Sequence, residues 1–223
     1  MPGSHSQQIN EIMAVLVLLD PQSVLDVGVG FGKYGVLIRE RLDLWSGADK
    51  SVAEYRQWQR RVDGVEAYAD YLTPLHSFIY NQIFVGDACA LAPTLAGRYD
   101  LVLLIDVIEH LSRAAGLQLL RDLRRISRNV LVSTPRRVGP QGPLYGNLYE
   151  RHISEWRPAD FAEFQPVFIP NQASLLVFGG EERPRVAAWV KQGERQQFRQ
   201  SIKTLFPWLG RIYHFLKTRR SRQ

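Results

Sequence analysis

The fold of this chain is decided by one stretch, Ser23-Val24-Leu25-Asp26-Val27-Gly28-Val29-Gly30-Phe31-Gly32-Lys33-Tyr34-Gly35. Its first half is an apolar run of strand length, which ends in glycines at alternate positions, and the residues from Tyr34 to Glu40 are typical of a helix. Glycine tolerates the positive φ of a tight turn and leaves room for a ligand against the backbone. The stretch therefore predicts a strand, a ligand-binding turn and a helix N-terminus.

Two classes of ligand bind at such a turn, and the glycine spacing fits both. Gly30, Gly32 and Gly35 match the G-x-G-x-x-G of dinucleotide enzymes, in which a pyrophosphate lies on the helix N-terminus. Asp26, two residues before Gly28, is expected in the mouth of the site, where its carboxylate would repel a phosphate. The same carboxylate suits the ammonium and sulfonium groups of S-adenosylmethionine.

The pattern Asp26-x-Gly28-x-Gly30-x-Gly32 resembles motif I of the class I S-adenosylmethionine-dependent methyltransferases. The resemblance covers about residues 20–180 and implies that these four residues hold the methionine end of the cofactor. It also implies an α/β fold with a Rossmann-like, mostly parallel seven-stranded sheet. Helices are expected on both faces of the sheet, and its last strand is expected to be antiparallel.

Two further acids follow predicted strands. Glu66 ends the strand Val62–Ala67 and, by the resemblance, binds the ribose hydroxyls, which are donors and need a carboxylate acceptor. It lies 34 residues after Gly32, so an insertion at residues 46–61 must loop out, and Asp63 remains the alternative. Asp87 and Ala88 follow the third strand and match the family's adenine-binding pair.

The fourth predicted strand, Tyr99–Leu111, is a continuous apolar run of the kind found at the centre of a parallel sheet. Its end, Asp106-Val107-Ile108-Glu109-His110, resembles motif IV of methyltransferases that act on small molecules and sugars. Asp106 is therefore assigned to cofactor binding. An Asn/Asp-Pro-Pro-Tyr/Phe tetrapeptide does not occur here, which argues against methylation of the exocyclic amines of nucleic-acid bases.

Methyl transfer to oxygen or nitrogen usually needs a base for the acceptor's proton. The candidate catalytic residues are His152, from the loop after the fifth strand, then His110, with Glu109 beside it. An alternative for His110 is packing against the cofactor or capping of the next helix. Asp106, Glu109 and His110 would hold Mg²⁺ if the following helix began early enough, but the sequence assigns no metal.

Composition predicts one domain with a tail, because 223 residues with 45% apolar content suffice for a single core. We expect an N-terminal helix at residues 1–20, a methyltransferase domain at 21–180 and a tail at 181–223. Residues 1–6 are expected to be disordered and are left out of the fold. The net charge of +6 belongs to the tail, which has eleven Lys/Arg against three Asp/Glu, so it does not indicate a nucleic-acid substrate.

The tail repeats apolar residues every three or four positions from Phe198 to Leu216, with Lys and Arg between them. This pattern predicts a basic amphipathic helix that packs on the domain or forms a homodimer, or else contacts an anionic membrane surface, with nucleic-acid binding as the third alternative. One cysteine, Cys89, fits a reducing compartment. The expected location is the cytoplasm, with the inner membrane face as a peripheral site.

The sequence thus predicts an enzyme that transfers a methyl group from S-adenosylmethionine to a hydroxyl of a small molecule, sugar or glycan. An amine or a carboxylate is the second choice of acceptor. Two alternatives remain open. A NAD-dependent oxidoreductase fits the second glycine spacing and Glu66, and a non-enzymatic adaptor would use the basic tail to recruit a membrane or a partner.

Overall fold

The computed structural model describes the backbone of residues 4–44, 51, 54 and 57–205, and side chains up to residue 196. Within these ranges seven strands form one sheet. The strands are β1 (Ser23–Val27), β2 (Arg61–Glu66), β3 (Gln82–Val85), β4 (Leu101–Ile105), β5 (Asn129–Pro135), β6 (Val167–Ile169) and β7 (Ser174–Gly180). The α-helices of the same ranges are α1 (Ile9–Leu19), α2 (Lys33–Ile38), α3 (Pro74–Ile79), α4 (Ala88–Leu91), α5 (Arg113–Arg125) and α6 (Arg183–Leu205).

The sheet has the strand order β3-β2-β1-β4-β5-β7-β6. The first five of these strands run parallel to one another, whereas β7 is antiparallel to both β5 and β6. The predicted α/β fold with an antiparallel last strand is confirmed. The strand order reverses between β1 and β4, and in such sheets ligands bind at that point, beside the carboxyl ends of the strands.

The central strand β4 is buried on both faces, as its uninterrupted apolar sequence predicts. Helix α5 covers one face of the sheet with Leu119, Leu120 and Leu123, all of which are buried. Helix α1 buries Ile12, Val15 and Leu16. The core therefore fixes the parallel strands relative to one another. The loops at their carboxyl ends lie outside this core and are available to bind a ligand.

Helix α2 continues into a π-helical turn, Arg39–Leu44. The buried guanidinium of Arg39 donates to Asp43 at 2.8 Å, to the Ile79 carbonyl at 2.8 Å and to the side-chain oxygen of Asn81 at 2.7 Å. A buried guanidinium is tolerated only when its donors are paired. These bonds join α2 to the segment that ends α3 and enters β3.

The predicted fourth strand is shorter than expected. It ends at Ile105 because Asp106 adopts a left-handed conformation with φ 52°, after which Ile108–His110 form one 3₁₀ turn. The amphipathic pattern of residues 71–82 predicts a helix, and the observed helix is shorter. Helix α3 begins at Pro74, where proline fits the first helical position because its missing N–H would have had no helical partner there.

The chain divides into two compact units, residues 1–183 and residues 184–223. The first contains α1 and the whole sheet, and the second contains most of α6. The predicted insertion at 46–61 and the tail helix after residue 205 fall largely or wholly outside the described residues, so they stay predictions. No helix in the described part of the chain is long and apolar enough to cross a membrane.

Candidate active site

A cleft lies at the carboxyl ends of the parallel strands, where the loops after β1, β2, β3, β4 and β5 meet. All the site residues predicted from the sequence line this cleft except Asp26 and Gly32. Those that line it are Gly28, Gly30, Glu66, Asp87, Ala88, Asp106, Glu109, His110 and His152. Residues that are up to 124 positions apart in the sequence are thus gathered in one place.

The glycine turn after β1 forms one wall of the cleft. Gly28, Gly30 and Gly32 have φ angles of 82°, 53° and 87°, a region that favours glycine. The backbone N–H of Gly28 donates to the Val65 carbonyl at 2.9 Å, which fixes the turn to the end of β2. Gly32 does not line the cleft and instead occupies the N-cap position of α2.

Glu66, at the end of β2, is fixed by two backbone donors. Its carboxylate accepts the N–H of Gly30 at 2.8 Å and that of Tyr68 at 2.9 Å. Burial raises the pKa of Glu66, and the two backbone N–H groups oppose that rise. The side chain therefore links the glycine turn to the second strand at the edge of the cleft.

Asp87 and Ala88 follow β3, as predicted, and Asp87 is the N-cap of α4. Its Oδ1 accepts the backbone N–H of Cys89 at 2.8 Å. Both residues line the cleft beside the loop that carries Glu66. The three positions expected to contact a cofactor thus lie on three neighbouring strands, β1, β2 and β3.

Asp26 lies behind the glycine turn rather than in the mouth of the cleft, which corrects the prediction of its position. Its side chain is 2% exposed and accepts the hydroxyl of Tyr80 at 2.7 Å. Burial raises the pKa of Asp26 to about 7, with the Tyr80 hydrogen bond lowering it and the nearby Glu66 raising it. Asp26 faces Tyr80, a residue that no motif in the sequence pairs with it.

His76 has a structural role beside the same turn. Its Nδ1 accepts the backbone N–H of Thr73 at 3.0 Å, so the proton must be on Nε2, which donates to the Gly30 carbonyl at 2.9 Å. The ring is 1% exposed. The two ring nitrogens of His76 therefore link the start of α3 to the glycine turn.

The segment before α1 lines the cleft, although residues 1–6 were expected to be disordered. Asp106 accepts the side-chain amide of Gln8 at 2.7 Å and the backbone N–H of His5 at 3.2 Å, while Ser133 donates to its other oxygen at 3.0 Å. The ammonium of Lys33 donates to the Ser4 hydroxyl at 3.2 Å. Sequence reasoning missed Ser4, His5 and Lys33 because no local periodicity marks them.

Glu109, His110 and His152 form a cluster on the other side of the cleft. The rings of His110 and His152 have centroids 5.1 Å apart. Glu109 is 1% exposed, and burial, reinforced by the charge of Asp106, raises its pKa to about 8. Burial also lowers the pKa of His110, so its neutral imidazole is favoured.

The loop that carries His152 is fastened to the segment that carries Glu109. The backbone N–H groups of Ile153 and Ser154 donate to the Glu109 carbonyl at 2.8 and 3.0 Å, and the Ser154 hydroxyl donates to the Leu111 carbonyl at 2.7 Å. The indole N–H of Trp156 donates to the Ile108 carbonyl at 3.0 Å. These bonds bring His152 to His110 across 42 residues of sequence.

The charge of the cleft is strongly acidic. Among its described lining residues, Lys33 is the only lysine or arginine, whereas five are carboxylic acids. The five acids are Glu66, Asp87, Asp106, Glu109 and Glu150. Burial raises the pKa of Glu109 to about 8, so its carboxyl is largely neutral at pH 7, but the other four acids still outnumber Lys33. A cleft with an excess of negative charge concentrates cations, so this one favours a cationic ligand over a pyrophosphate.

Comparison with known proteins gives matches at the level of structure. No protein-family model and no curated protein matches the sequence. The N-terminal domain of EvdMO1, solved in the presence of SAH and D-fucose, matches with a TM-score of 0.52 and 16% identity over 80% of this chain and 84% of that chain. Magnesium protoporphyrin IX methyltransferase (ChlM) from Synechocystis PCC 6803, solved with bound SAM, matches with a TM-score of 0.53 and 15% identity over 78% of each chain. The chain has the class I methyltransferase fold.

A third match supports the same class I methyltransferase fold. An O-methyltransferase family protein from Burkholderia thailandensis gives a TM-score of 0.57 at 12% identity, over 79% of this chain and 56% of that chain. Within the class I methyltransferase fold of this chain, the cleft lies where the strand order reverses. The acidic lining and the glycine turn with three positive φ angles are both compatible with S-adenosylmethionine, whose methionine end carries an ammonium and a sulfonium.

Proposed function

We propose that this protein transfers a methyl group from S-adenosylmethionine to a hydroxyl of a small molecule, sugar or glycan. One observation carries the proposal. In a class I methyltransferase fold, the glycine turn, Glu66 and the Asp87–Ala88 pair line the same acidic cleft as an acid–base cluster. A nicotinamide dinucleotide would bring its pyrophosphate into a cleft whose acids outnumber its one described lysine, which is electrostatically unfavourable.

The cofactor side is assigned to the loops after β1, β2 and β3. S-adenosylmethionine, when bound, supplies an electrophilic methyl group on its sulfonium. The backbone of the glycine turn at Gly28 and Gly30 would hold the methionine end, and Asp106 would contribute a carboxylate to it. Glu66 would accept the ribose hydroxyls, and Asp87 with Ala88 would hold the adenine.

The acceptor side is assigned to the Glu109, His110 and His152 cluster. A neutral imidazole can take the proton of an acceptor hydroxyl as the methyl group moves, so we propose His152 or His110 as the base. Each of these histidines uses Nδ1 to bond a backbone carbonyl. Nε2 is therefore the nitrogen that carries the lone pair for this step.

The acceptor is proposed to carry an apolar or ring-shaped part. The loop between β5 and β6 exposes five large apolar side chains, of which Leu144 and Tyr149 line the cleft. The other three are Tyr145, Leu148 and Ile153. Exposed apolar groups grouped at the rim of a cleft are typical of a binding surface. An acceptor with such a part would bury these side chains.

The cofactor assignment is tested by calorimetric titration of the purified protein with S-adenosylhomocysteine, with NADH in parallel. We expect saturable binding of S-adenosylhomocysteine alone. Glu66→Gln should weaken this binding at least tenfold, because a neutral amide accepts the ribose hydroxyls and the Gly30 N–H less strongly than a carboxylate. Glu163→Gln, at an exposed glutamate paired with Arg121, is the matched control and should bind as the wild type does. Binding of NADH alone would overturn the proposal.

A further inference from the structure

Glu109, His110 and His152 each present one metal-ligating atom to the same point of the cleft. One carboxylate oxygen and two imidazole nitrogens all lie within 4.8 Å of one another. Metal–ligand bonds of about 2.0–2.2 Å keep the ligands of one ion within roughly 4 Å of each other. The three atoms therefore lie near one another, at separations up to 4.8 Å that are slightly wider than those of ligands on one ion.

The tautomers of both histidines are fixed by the backbone. Nδ1 of His110 lies 3.1 Å from the Arg151 carbonyl, and Nδ1 of His152 lies 2.6 Å from the Gly139 carbonyl. A carbonyl only accepts, so Nδ1 carries the proton in each ring and Nε2 carries the lone pair. Metal-binding histidines commonly have this arrangement, because the bond at one nitrogen orients the other toward the ion.

Glu109 brings a buried carboxylate to the cluster. Its side chain is 1% exposed, the Thr134 hydroxyl is its side-chain hydrogen-bonding neighbour, and its Oε2 makes no hydrogen bond of ordinary geometry among the described residues. A buried carboxylate with so few donors is costly to keep charged. A bound cation would stabilise its charged form.

We propose that Glu109, His110 and His152 bind one divalent first-row transition cation. Two imidazoles and one carboxylate suit Mn²⁺, Co²⁺ or Zn²⁺, whereas Mg²⁺ prefers oxygen ligands. The site therefore differs from the Mg²⁺ alternative considered from the sequence, in which Asp106 took the place of His152. Asp106 is bound by Gln8 and Ser133 instead, and it is not a member of this cluster.

A role for the cation in catalysis rests on the proposed methyl transfer. Binding of the cation to the cluster does not depend on that proposal. A hydroxyl bound to a divalent cation has a lowered pKa and releases its proton to water more readily. With the cation present, His110 and His152 would orient the acceptor through the ion instead of taking up its proton. They would then be ligands in the reaction, and the acceptor oxygen would be held at the cluster.

The test is a titration of the full chain with Co²⁺ after treatment with a chelator, followed by the visible ligand-field absorption of the ion. We expect one Co²⁺ per chain. Glu109→Gln, His110→Ala and His152→Ala should each weaken Co²⁺ binding at least tenfold. The controls are His5→Ala, since His5 lines the same cleft outside the cluster, and Glu163→Gln, at the exposed glutamate paired with Arg121, and both should bind Co²⁺ as the wild type does.

Two results would overturn the site. One is a wild-type spectrum that does not change in a large excess of Co²⁺, and the other is Co²⁺ affinity that is equal in the wild type and in all folded ligand variants. Circular dichroism of each variant shows whether it is folded, and His152→Ala, in a half-buried loop position, carries the test if the buried Glu109→Gln does not fold. S-adenosylhomocysteine titration of the same samples separates the two proposals. If the wild type binds Co²⁺ but does not bind S-adenosylhomocysteine, the proposed function is overturned and the metal site stands.

Discussion

Asp26 is a buried acid whose protonation is coupled to folding. Its folded pKa is raised from 3.8 to about 7, chiefly by burial, with Tyr80 and Glu66 as its interacting neighbours. Between pH 4 and pH 7 the folded protein therefore holds a proton at Asp26 that the unfolded chain has released. Stability contributed by this group falls as the pH rises through that window.

The first prediction concerns Asp26→Asn, which keeps the shape and the acceptor for the Tyr80 hydroxyl but cannot titrate. We expect the difference in free energy of unfolding, wild type minus variant, to decrease between pH 4 and pH 7.5. The decrease should be roughly 4 kcal/mol at most. Urea titrations of both proteins at four pH values in this range measure the difference. Parallel pH profiles would contradict a raised pKa at Asp26.

The second prediction concerns Gly35, where a helical glycine would usually gain about 1 kcal/mol on substitution by alanine. Here an added Cβ would lie 2.4 Å from Cζ of Tyr80 and 2.8 Å from Cγ2 of Ile79. Tyr80 is buried and bonded to Asp26, so its ring cannot move away. We therefore expect Gly35→Ala to lower the free energy of unfolding by about 1–3 kcal/mol.

The matched control for Gly35→Ala is Gly142→Ala, because a Cβ at Gly142 meets no atom within 4 Å. Its free energy of unfolding should stay within about 0.5 kcal/mol of the wild type. Equal stability of the two variants in urea titrations would show that the space around Gly35 is not restrictive.

At the scale of elements, the strands were the most predictable feature of the sequence. The run of β-branched and apolar residues from Asn129, ended by Pro135, predicts a strand with the same bounds as β5. The end of β4 was not predictable, because the left-handed turn at Asp106 is fixed by Gln8 and Ser133 from distant parts of the chain. Local patterns encode a strand's interior better than a boundary set by tertiary contacts.

The third prediction concerns the loop that carries His152, which Trp156 fastens to the turn at Ile108–His110. The indole N–H donates to the Ile108 carbonyl and to the Ser154 hydroxyl. The ring packs closely on Gly116, where an added Cβ would lie only 2.5 Å from the indole. Trp156→Phe keeps an aromatic ring but loses both hydrogen bonds. We expect a loss of about 1–3 kcal/mol in the free energy of unfolding.

The same variant should keep its affinity for S-adenosylhomocysteine, because the cofactor side of the cleft is built on the loops after β1, β2 and β3. Urea titration and calorimetry of Trp156→Phe measure the two effects separately. A variant as stable as the wild type would mean that the loop is held by its backbone bonds to Glu109 alone.

For the molecule as a whole, the sequence predicted the meeting of the proposed cofactor-binding residues better than the meeting of Glu109, His110 and His152. The glycine turn, Glu66 and Asp87 each follow a strand directly, so their meeting at one edge of the sheet follows from the topology. The approach of His152 to Glu109 and the passage of Ser4 and His5 along the cleft depend on long-range hydrogen bonds. Such contacts leave no periodic signal in a sequence.

The fourth prediction applies to the whole molecule, since a ligand that binds only the folded state raises its stability by mass action. If S-adenosylhomocysteine binds in the cleft, a concentration of 100 times its Kd should stabilise the protein by about 2.7 kcal/mol. For a unit of this size that corresponds to a rise in Tm of roughly 5–10 °C. Thermal unfolding with and without the ligand measures it, and Glu66→Gln at the same ligand concentration should show a much smaller rise.

The strand order also bears on how the protein behaves when it is concentrated. It places β3 and β6 at the two edges of the sheet, and these strands contain only four and three residues. An exposed edge is a template on which a strand of another chain can pair, and a short edge offers few backbone groups for it. Both margins of this sheet are therefore poor starting points for edge-to-edge aggregation.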